Sequence, residues 1–165
     1  MIGNSGSGKS TFAGRRAREE GLAQLDLDTL AWLPETPPRR RPLADSVAEI
    51  DRFCDANERW VIEGCYGDLI AAVLPRATQL VFLNPGVDGC IANCRARPWE
   101  PHKYASKEAQ DANLAMLIGW VRDYYRRDDE QSLARHRVLF DGFTGEKLEL
   151  TRQSSPNHAA QRRNR

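Results

Sequence analysis

The stretch Gly3-Asn4-Ser5-Gly6-Ser7-Gly8-Lys9-Ser10 decides the fold class, because it matches the pattern G-x-x-x-x-G-K-[ST] at every fixed position. In this pattern successive backbone N–H groups wrap a phosphate, and glycine lets the chain bend and approach closely. A helical pattern follows at once, so the positive amino end of a helix faces the same phosphate. The alternative is a glycine- and serine-rich turn that merely precedes a helix.

The loop predicts a nucleotide site in which Lys9 reaches the β- and γ-phosphates and the Ser10 hydroxyl binds magnesium. The residues that we expect to contact the nucleotide are Gly3, Asn4, Ser5, Gly6, Ser7, Gly8, Lys9, Ser10 and Thr11. We expect Lys9 to face solvent, held by phosphate rather than by core packing.

The composition is that of a globular domain. The 165 residues are 41% hydrophobic and 28% charged, and no apolar run approaches the roughly 18 residues of a membrane span. A net charge of +1 argues against nucleic acid as a partner. With no signal-peptide pattern, the four cysteines are expected to be reduced thiols in the cytoplasm, and a metal site at Cys90 and Cys94 is not expected.

Short apolar runs alternate with helical patterns along the chain, which indicates an α/β fold with a parallel sheet. The runs that favour strands are Leu25–Leu27, Trp60–Ile62, Leu80–Leu83 and Val138–Phe140. The helical patterns are Lys9–Glu20, Asp45–Asn57, Asp68–Leu74, Val87–Arg97 and about Ser106–Arg127. Gly21 is placed to end the first helix. We expect one domain over residues 1–150 and a disordered basic tail over 151–165, which holds four arginines and no acid.

The first strand of this pattern is truncated. Only Met1 and Ile2 precede Gly3, whereas a typical strand has about five to six residues. A buried central strand needs neighbours on both edges. We therefore expect the natural protein to start upstream, with a β-branched run before Gly3, and the chain as given to be poorly soluble and to bind ATP weakly.

Three segments together carry a resemblance: the loop, the run Asp-Leu-Asp-Thr-Leu-Ala-Trp at 26–32, and Trp60-Val61-Ile62-Glu63-Gly64. Over about residues 1–150 the chain resembles the P-loop kinases of the adenylate kinase and shikimate kinase kind. Within these it is most similar to bacterial topology modulation protein-like and adenylate kinase-like ATPases. The resemblance implies a P-loop NTPase three-layer sandwich with a five-stranded parallel sheet, strand order 2-3-1-4-5, and a short mobile lid after the fourth strand. It also implies ATP and Mg²⁺ as cofactors.

The resemblance assigns roles to three carboxylates. Asp28 binds the acceptor hydroxyl and helps to take its proton, while Asp26 lies near magnesium. Two acids at i and i+2 of a strand point to the same face, so both can reach one site. Glu63 stands where adenylate kinase-like enzymes have Asp, and it holds a magnesium-bound water. The alternatives are that Asp26 and Asp28 cap a turn and that Glu63 is solvated.

Phosphoryl transfer needs cations over the γ-phosphate, where charge spreads onto the oxygens. Arg97 precedes the predicted lid at 98–105, and Arg127 ends the long helix; Arg95 and Arg126 are the neighbouring candidates. The alternative is that these arginines are solvated at helix ends. His102 and His136 are interpreted as surface histidines.

The phosphoryl acceptor is not identified by any motif. Arg39-Arg40-Arg41 suits an acidic or phosphorylated small molecule, or is a solvated basic loop. Asp141-Gly142-Phe143-Thr144-Gly145 is expected after the last strand, and the resemblance implies that it lies near the adenine; the alternative is a plain turn. The sequence therefore favours an ATP-dependent phosphotransferase acting on a small molecule, as a monomer or weak dimer. The alternative is an ATP-binding, slowly hydrolysing regulator of a protein or nucleic-acid partner.

Overall fold

The computed structural model describes residues 1–35, 37–101 and 104–151. The predicted tail beyond Thr151 and the histidine at 102 lie outside these residues. The strands of the described part are β1 (Ile2–Gly3), β2 (Ala23–Asp26), β3 (Trp60–Glu63), β4 (Gln79–Leu83) and β5 (Glu146–Leu150). Its α-helices are α1 (Lys9–Glu20), α2 (Asp28–Ala31), α3 (Leu43–Ala56), α4 (Gly67–Val73), α5 (Val87–Ala96), α6 (Lys107–Asp123) and α7 (Leu133–Gly142).

All strand pairs of the described part are parallel. β2 pairs with β3, β1 pairs with β4, and β4 pairs with β5. Ile2 also forms a parallel bridge to Gly64, directly after β3, where the Gly64 N–H donates to the Met1 carbonyl at 3.2 Å. The protein is thus an α/β protein with a parallel sheet and intervening helices, which confirms the predicted class.

The inner strands are apolar without alternation because helices cover both of their faces. In β3 and β4 every residue after the first is buried. Ile2, Ile62, Ile70 and Phe82 belong to one core cluster. A second cluster lies where α5 meets α6, and its buried members are Cys90, Ile91, Cys94 and Val121. All four cysteines are buried and free of disulfides.

The first helix was the best-predicted element. α1 has the predicted bounds, and Gly21 ends it in the left-handed conformation with φ 65°. Its N–H donates to the Ala17 carbonyl, as expected of a glycine that closes a helix. The other four helical patterns are also helices, with ends that differ from prediction by up to four residues.

The predicted strand at Val138–Phe140 is wrong, since these residues lie in α7. A three-residue apolar run cannot distinguish a helix from a strand. The Ser132 side chain accepts the Arg135 N–H and begins the helix, with Leu139 inward and Val138 exposed. The last strand of the described part is β5; among the described strands it pairs only with β4, and it therefore tolerates charged residues along its exposed first half.

β1 has only two residues, and a cavity lies beyond its amino end, between the two neighbouring strands. This cavity of about 400 Å³, the amino-end cavity, lies between Trp60–Ile62 of β3 and Gln79–Val81 of β4, beside Met1. The Met1 amino group donates to the Ile62 carbonyl at 2.6 Å, and burial lowers its pKa to about 5. Among the described residues, no helix has the length and apolar character needed to cross a bilayer.

Candidate active site

A cavity of about 660 Å³, the loop cavity, opens at the carboxyl end of the sheet. Leu83 and Leu150, the last residues of β4 and β5, line it. In parallel α/β sheets this end is where ligands bind. The loop from Ser5 to Thr11 lines the same cavity together with Arg15, Asp28, Glu63, Arg97 and Glu100.

The loop has a conformation that only glycine adopts freely. Gly6 and Gly8 have φ values of 75° and 90°, in the left-handed region. A Cβ atom on Gly6 would lie 2.4 Å from the Cys90 carbonyl oxygen, so the loop also packs too closely for a side chain there. Gly8 precedes α1, and no side chain caps that helix. The amino end of α1 is therefore open to an anion.

Two asparagines fix the loop to the helices around it. Asn4 is buried, and its Nδ2 donates to the Val121 carbonyl at 3.0 Å. Asn93 of α5 donates to the Gly6 carbonyl at 2.7 Å. The loop is thus attached to both α5 and α6, the helices that flank the predicted lid.

The expectation that Lys9 faces solvent is wrong. The residue is only 8% exposed, and its Nζ donates to the Asn4 carbonyl across the loop at 3.0 Å. A buried ammonium requires an acceptor, and in the protein alone the loop's own backbone supplies it. Because Lys9 also lines the loop cavity, its ammonium can exchange that carbonyl for a ligand's phosphate.

Asp26 and Asp28 do not share a strand face, so that part of the prediction is wrong. β2 ends at Asp26, Leu27 has helical dihedral angles, and Asp28 begins α2. The Asp26 Oδ1 accepts the Asp28 backbone N–H at 2.9 Å, which turns the chain into the helix. Asp28 lines the loop cavity, whereas Asp26 is not among the lining residues.

Glu63 is a carboxylate held inside the protein. It is 2% exposed, it lines the loop cavity, and its Oε1 has no hydrogen-bond partner among the residues that the structure describes. A buried carboxylate oxygen without a partner is costly unless a ligand or an ordered water satisfies it. Within residues 1–35, 37–101 and 104–151, no group of three His, Cys, Asp or Glu side chains could hold a metal ion.

The predicted arginines lie in three different environments. Arg97 lines the loop cavity and its Nη1 lies 3.1 Å from the Glu100 Oε2. Arg127 is not among the lining residues; its guanidinium stacks on Trp120 at 3.7 Å and donates to the Gln131 carbonyl at 2.7 Å. Burial lowers the pKa of Arg127. Arg95 and Arg126 are exposed.

Sequence reasoning missed Arg15. It lies on α1, lines the loop cavity and stacks over Phe12 at 5.0 Å, and its buried Nε has no hydrogen-bond partner in the described part of the chain. Arg15 follows Thr11 by four positions and Phe12 by three, so it lies beside both of them on the helix surface. That spacing was the signal that could have found it.

The predicted lid connects α5 and α6 and has no helix or strand in its described part. Pro98 and Glu100 line the loop cavity. Gln110 of α6 tethers this segment, since its Oε1 accepts the Glu100 N–H and its Nε2 donates to the Pro98 carbonyl. The segment therefore covers one side of the cavity.

Three other interpretations change. The arginines at 39–41 each form an ion pair, with Glu35, Asp68 and Glu49 respectively, so they are not a free cationic patch. The segment 141–145 precedes β5 and meets Thr78 before β4, at the end of the sheet opposite the loop. His136 is fully buried, where its ring nitrogens contact the Tyr124 hydroxyl and the Cys65 carbonyl.

A comparison with protein-family models gave no match for this chain, and a comparison with curated proteins gave none either.

Proposed function

We propose that the protein is an ATP-dependent phosphotransferase that passes the γ-phosphoryl group of ATP to a small molecule. The observation that carries this proposal is the shared lining of the loop cavity. The phosphate-binding sequence, one carboxylate suited to an acceptor hydroxyl (Asp28) and one arginine (Arg97) all face the same space. A site that only bound phosphate would not need a carboxylate there.

Each part has a role in phosphoryl transfer. The open amino end of α1 and Lys9 hold the phosphates, and Arg97 offsets charge that develops on the transferred group. Arg15 is a second cation of the same cavity. Asp28 orients the acceptor hydroxyl and takes its proton. Arg127 supports the turn after α6 rather than contacting the nucleotide.

Magnesium fits the oxygen donors of this cavity, because Mg²⁺ prefers oxygen ligands and is usually bound by one or two protein groups plus phosphates. The Ser10 hydroxyl and the unsatisfied Glu63 Oε1 are the groups that would hold it, directly or through water. When bound, the ion neutralises charge between the β- and γ-phosphates. Asp26 remains the cap of its turn in this assignment.

The strand pairs support the P-loop kinase arrangement of the sheet. β2 lies beside β3, Ile2 bridges to the residue after β3, and β4 lies between β1 and β5. These pairs are those of the order 2-3-1-4-5. The segment 98–105 is then the short lid that excludes water from the reaction.

One observation favours the alternative of an ATP-binding, slowly hydrolysing regulator. The arginines at 39–41, which suited an anionic acceptor, are occupied by acidic side chains. Product analysis separates the two functions. With ATP labelled at the γ-phosphate and a mixture of metabolites, a phosphotransferase labels an acceptor much faster than it releases phosphate in water alone. Phosphate release that is unchanged by any mixture would favour the regulator.

A further inference from the structure

A chain of three side chains leads from the protein surface to the loop cavity. The Trp32 indole Nε1 donates to the Tyr66 hydroxyl oxygen at 2.9 Å, and the Tyr66 hydroxyl donates to the Asp28 Oδ1 at 2.7 Å. Trp32 is 40% exposed, Tyr66 is 4% exposed, and Asp28 lines the cavity. We call these residues the Trp32–Tyr66–Asp28 relay.

The chemistry of the donors fixes the direction of this relay. An indole N–H can only donate, so the Tyr66 oxygen must accept from Trp32. The single hydroxyl hydrogen of Tyr66 is then directed to the carboxylate. Burial, followed by the nearby Cys65 and Asp28, raises the pKa of Tyr66 well above its ordinary value, so the hydroxyl remains a donor. Tyr66 therefore always presents a hydrogen to Asp28.

The relay is also held rigid from the side. The Arg40 guanidinium lies 4.8 Å from the Tyr66 ring centre and 5.5 Å from that of Trp32, and it forms an ion pair with Asp68 at 2.8 Å. The two aromatic rings meet edge to face, with centres 6.4 Å apart. Cation–π and edge-to-face contacts of this kind limit ring rotation. The hydroxyl of Tyr66 thus has one position relative to Asp28.

A packing role alone does not require this hydroxyl. A phenylalanine at position 66 would fill the same space, and a buried hydroxyl costs free energy unless it is hydrogen-bonded. Here both of its hydrogen bonds lie on one path that ends at the carboxylate of the cavity. The arrangement therefore serves the carboxylate.

We propose that Tyr66 is a positioning residue for phosphoryl transfer: its hydroxyl, oriented by Trp32, holds the Asp28 carboxylate in one orientation, aimed at the acceptor. This inference rests on the proposed function. It adds Tyr66 and Trp32 to the groups on which transfer depends, although neither needs to touch the nucleotide. A one-ångström displacement of a reacting group can cost about a hundredfold in rate, so loss of the hydroxyl is expected to slow transfer about tenfold to a hundredfold.

The first experiment is a double-variant cycle with MgATP and water as the acceptor. Tyr66→Phe should lower kcat about tenfold or more while the KM for ATP changes less than about twofold. Asp28→Asn should lower kcat at least as much, and the double variant should be no slower than Asp28→Asn alone. Tyr125→Phe is the matched control, since it removes an exposed hydroxyl that donates to Asn84 outside the cavity. Losses that multiply in the double variant, or an unchanged kcat in Tyr66→Phe, would overturn the proposal.

A second readout does not depend on turnover. The indole N–H signal of Trp32, assigned by its loss in Trp32→Phe, should shift in Asp28→Asn and on addition of a non-hydrolysable magnesium–ATP analogue. Tyr66→Phe should abolish both shifts without weakening binding of the analogue. If the analogue binds and the chemical shift of the Trp32 indole N–H does not change, the relay proposal fails. If the analogue does not bind wild type, the proposed function fails, and the response to Asp28→Asn still decides for or against the relay.

Discussion

The two cavities, one at each end of the sheet, differ in how their polar groups are satisfied. In the loop cavity, the Ser7 Oγ, the Glu63 Oε1 and the Arg15 Nε are buried without hydrogen-bond partners among the described residues. Hydrogen-bond donors and acceptors, on a cationic, an anionic and a neutral side chain, are thus left for a ligand. A charged, oxygen-rich molecule with bound cation matches this set, whereas an apolar molecule would leave every one of these groups unsatisfied.

The amino-end cavity has the opposite character. Several of its charged groups are paired: Arg16 is bound to Glu20 and Gln79, Arg76 forms ion pairs with Asp51 and Asp55, and the Met1 amino group donates to the Ile62 carbonyl. The rest of the lining consists of Glu58 and Arg59, residues of β3 and β4, and an apolar wall that includes Ile70 and Val73. This space suits an extended peptide segment and not a nucleotide. The two cavities thus differ in their buried side-chain atoms: among the described residues, only the loop cavity is lined by residues that have such atoms without hydrogen-bond partners.

The largest expected effect tests the loop cavity. Lys9→Ala should lower ATP turnover on the order of a hundredfold or more, because the variant lacks the cation on the transferred phosphoryl group. Lys107→Ala is the matched control, since that lysine pairs with Asp111 on the exposed surface of α6. Turnover is measured as ADP formed. Equal turnover in Lys9→Ala and wild type would remove the loop from the active site.

The next effect separates binding from chemistry within that cavity. Asp28→Asn should reduce phosphoryl transfer by about a hundredfold, a usual contribution of a general base, and leave ATP affinity nearly unchanged. Asp111→Asn serves as the control on α6. Transfer rate and affinity are measured on the same preparations. A parallel loss of both quantities would place Asp28 on magnesium instead, and no loss would leave it as a structural residue of α2.

A smaller effect tests the amino-end cavity. Side chains alternate along a strand, so a residue added directly before Met1 lies on the same face as Ile2, toward Ile70. An extension that places threonine and then valine before Met1 should raise the free energy of unfolding by about 1.5–3 kcal/mol, the contribution of one buried valine-sized side chain. The control is an extension by two glycines. Urea denaturation of both chains gives the comparison, and equal stabilities would show that the space does not accept a strand.

The pH dependence of stability sharpens the same comparison. Burial lowers the pKa of the Met1 amino group from 8.0 to about 5, so between these values the unfolded chain binds a proton that the folded chain does not. Stability should therefore fall as the pH falls from 8 to 5. His136, whose pKa burial lowers to about 4, should extend the fall from about pH 6.5 to pH 4. In the chain extended by threonine and valine, the fall in stability due to Met1 should disappear, and the fall due to His136 should remain. An unchanged pH profile would contradict the assignment to Met1.

The sequence predicted the elements whose signals are local. The glycine positions of the loop, the bounds of α1 and the stop at Gly21 follow from backbone demands of neighbouring residues. β5 was missed because an edge strand needs no apolar run. The burial of Lys9 could not be predicted either, because its hydrogen-bond acceptor is the Asn4 carbonyl. Only the folded loop brings these two groups together.

The site was predicted in part for the same reason. Glu63 and Asp28 were proposed from the resemblance and both line the loop cavity, but the separation of Asp28 from Asp26 depends on a turn that the Asp26 carboxylate creates by accepting a backbone N–H. Arg127 was assigned to the nucleotide because the resemblance implies a cation at the end of the long helix, whereas its stacking on Trp120 cannot be predicted from the sequence. Tertiary contacts decide which of several similar charges face a cavity.

We propose that the loop cavity, and not the amino-end cavity, binds the phosphates of ATP. The most direct measurement follows the backbone amide signals of the protein during titration with a non-hydrolysable magnesium–ATP analogue, with AMP as the control. We expect the largest shifts at Gly6, Gly8 and Ser10 with the analogue, and small shifts there with AMP, which lacks the β- and γ-phosphates. Saturable binding that leaves these three amides unshifted, or that shifts the residues lining the amino-end cavity instead, would contradict the claim.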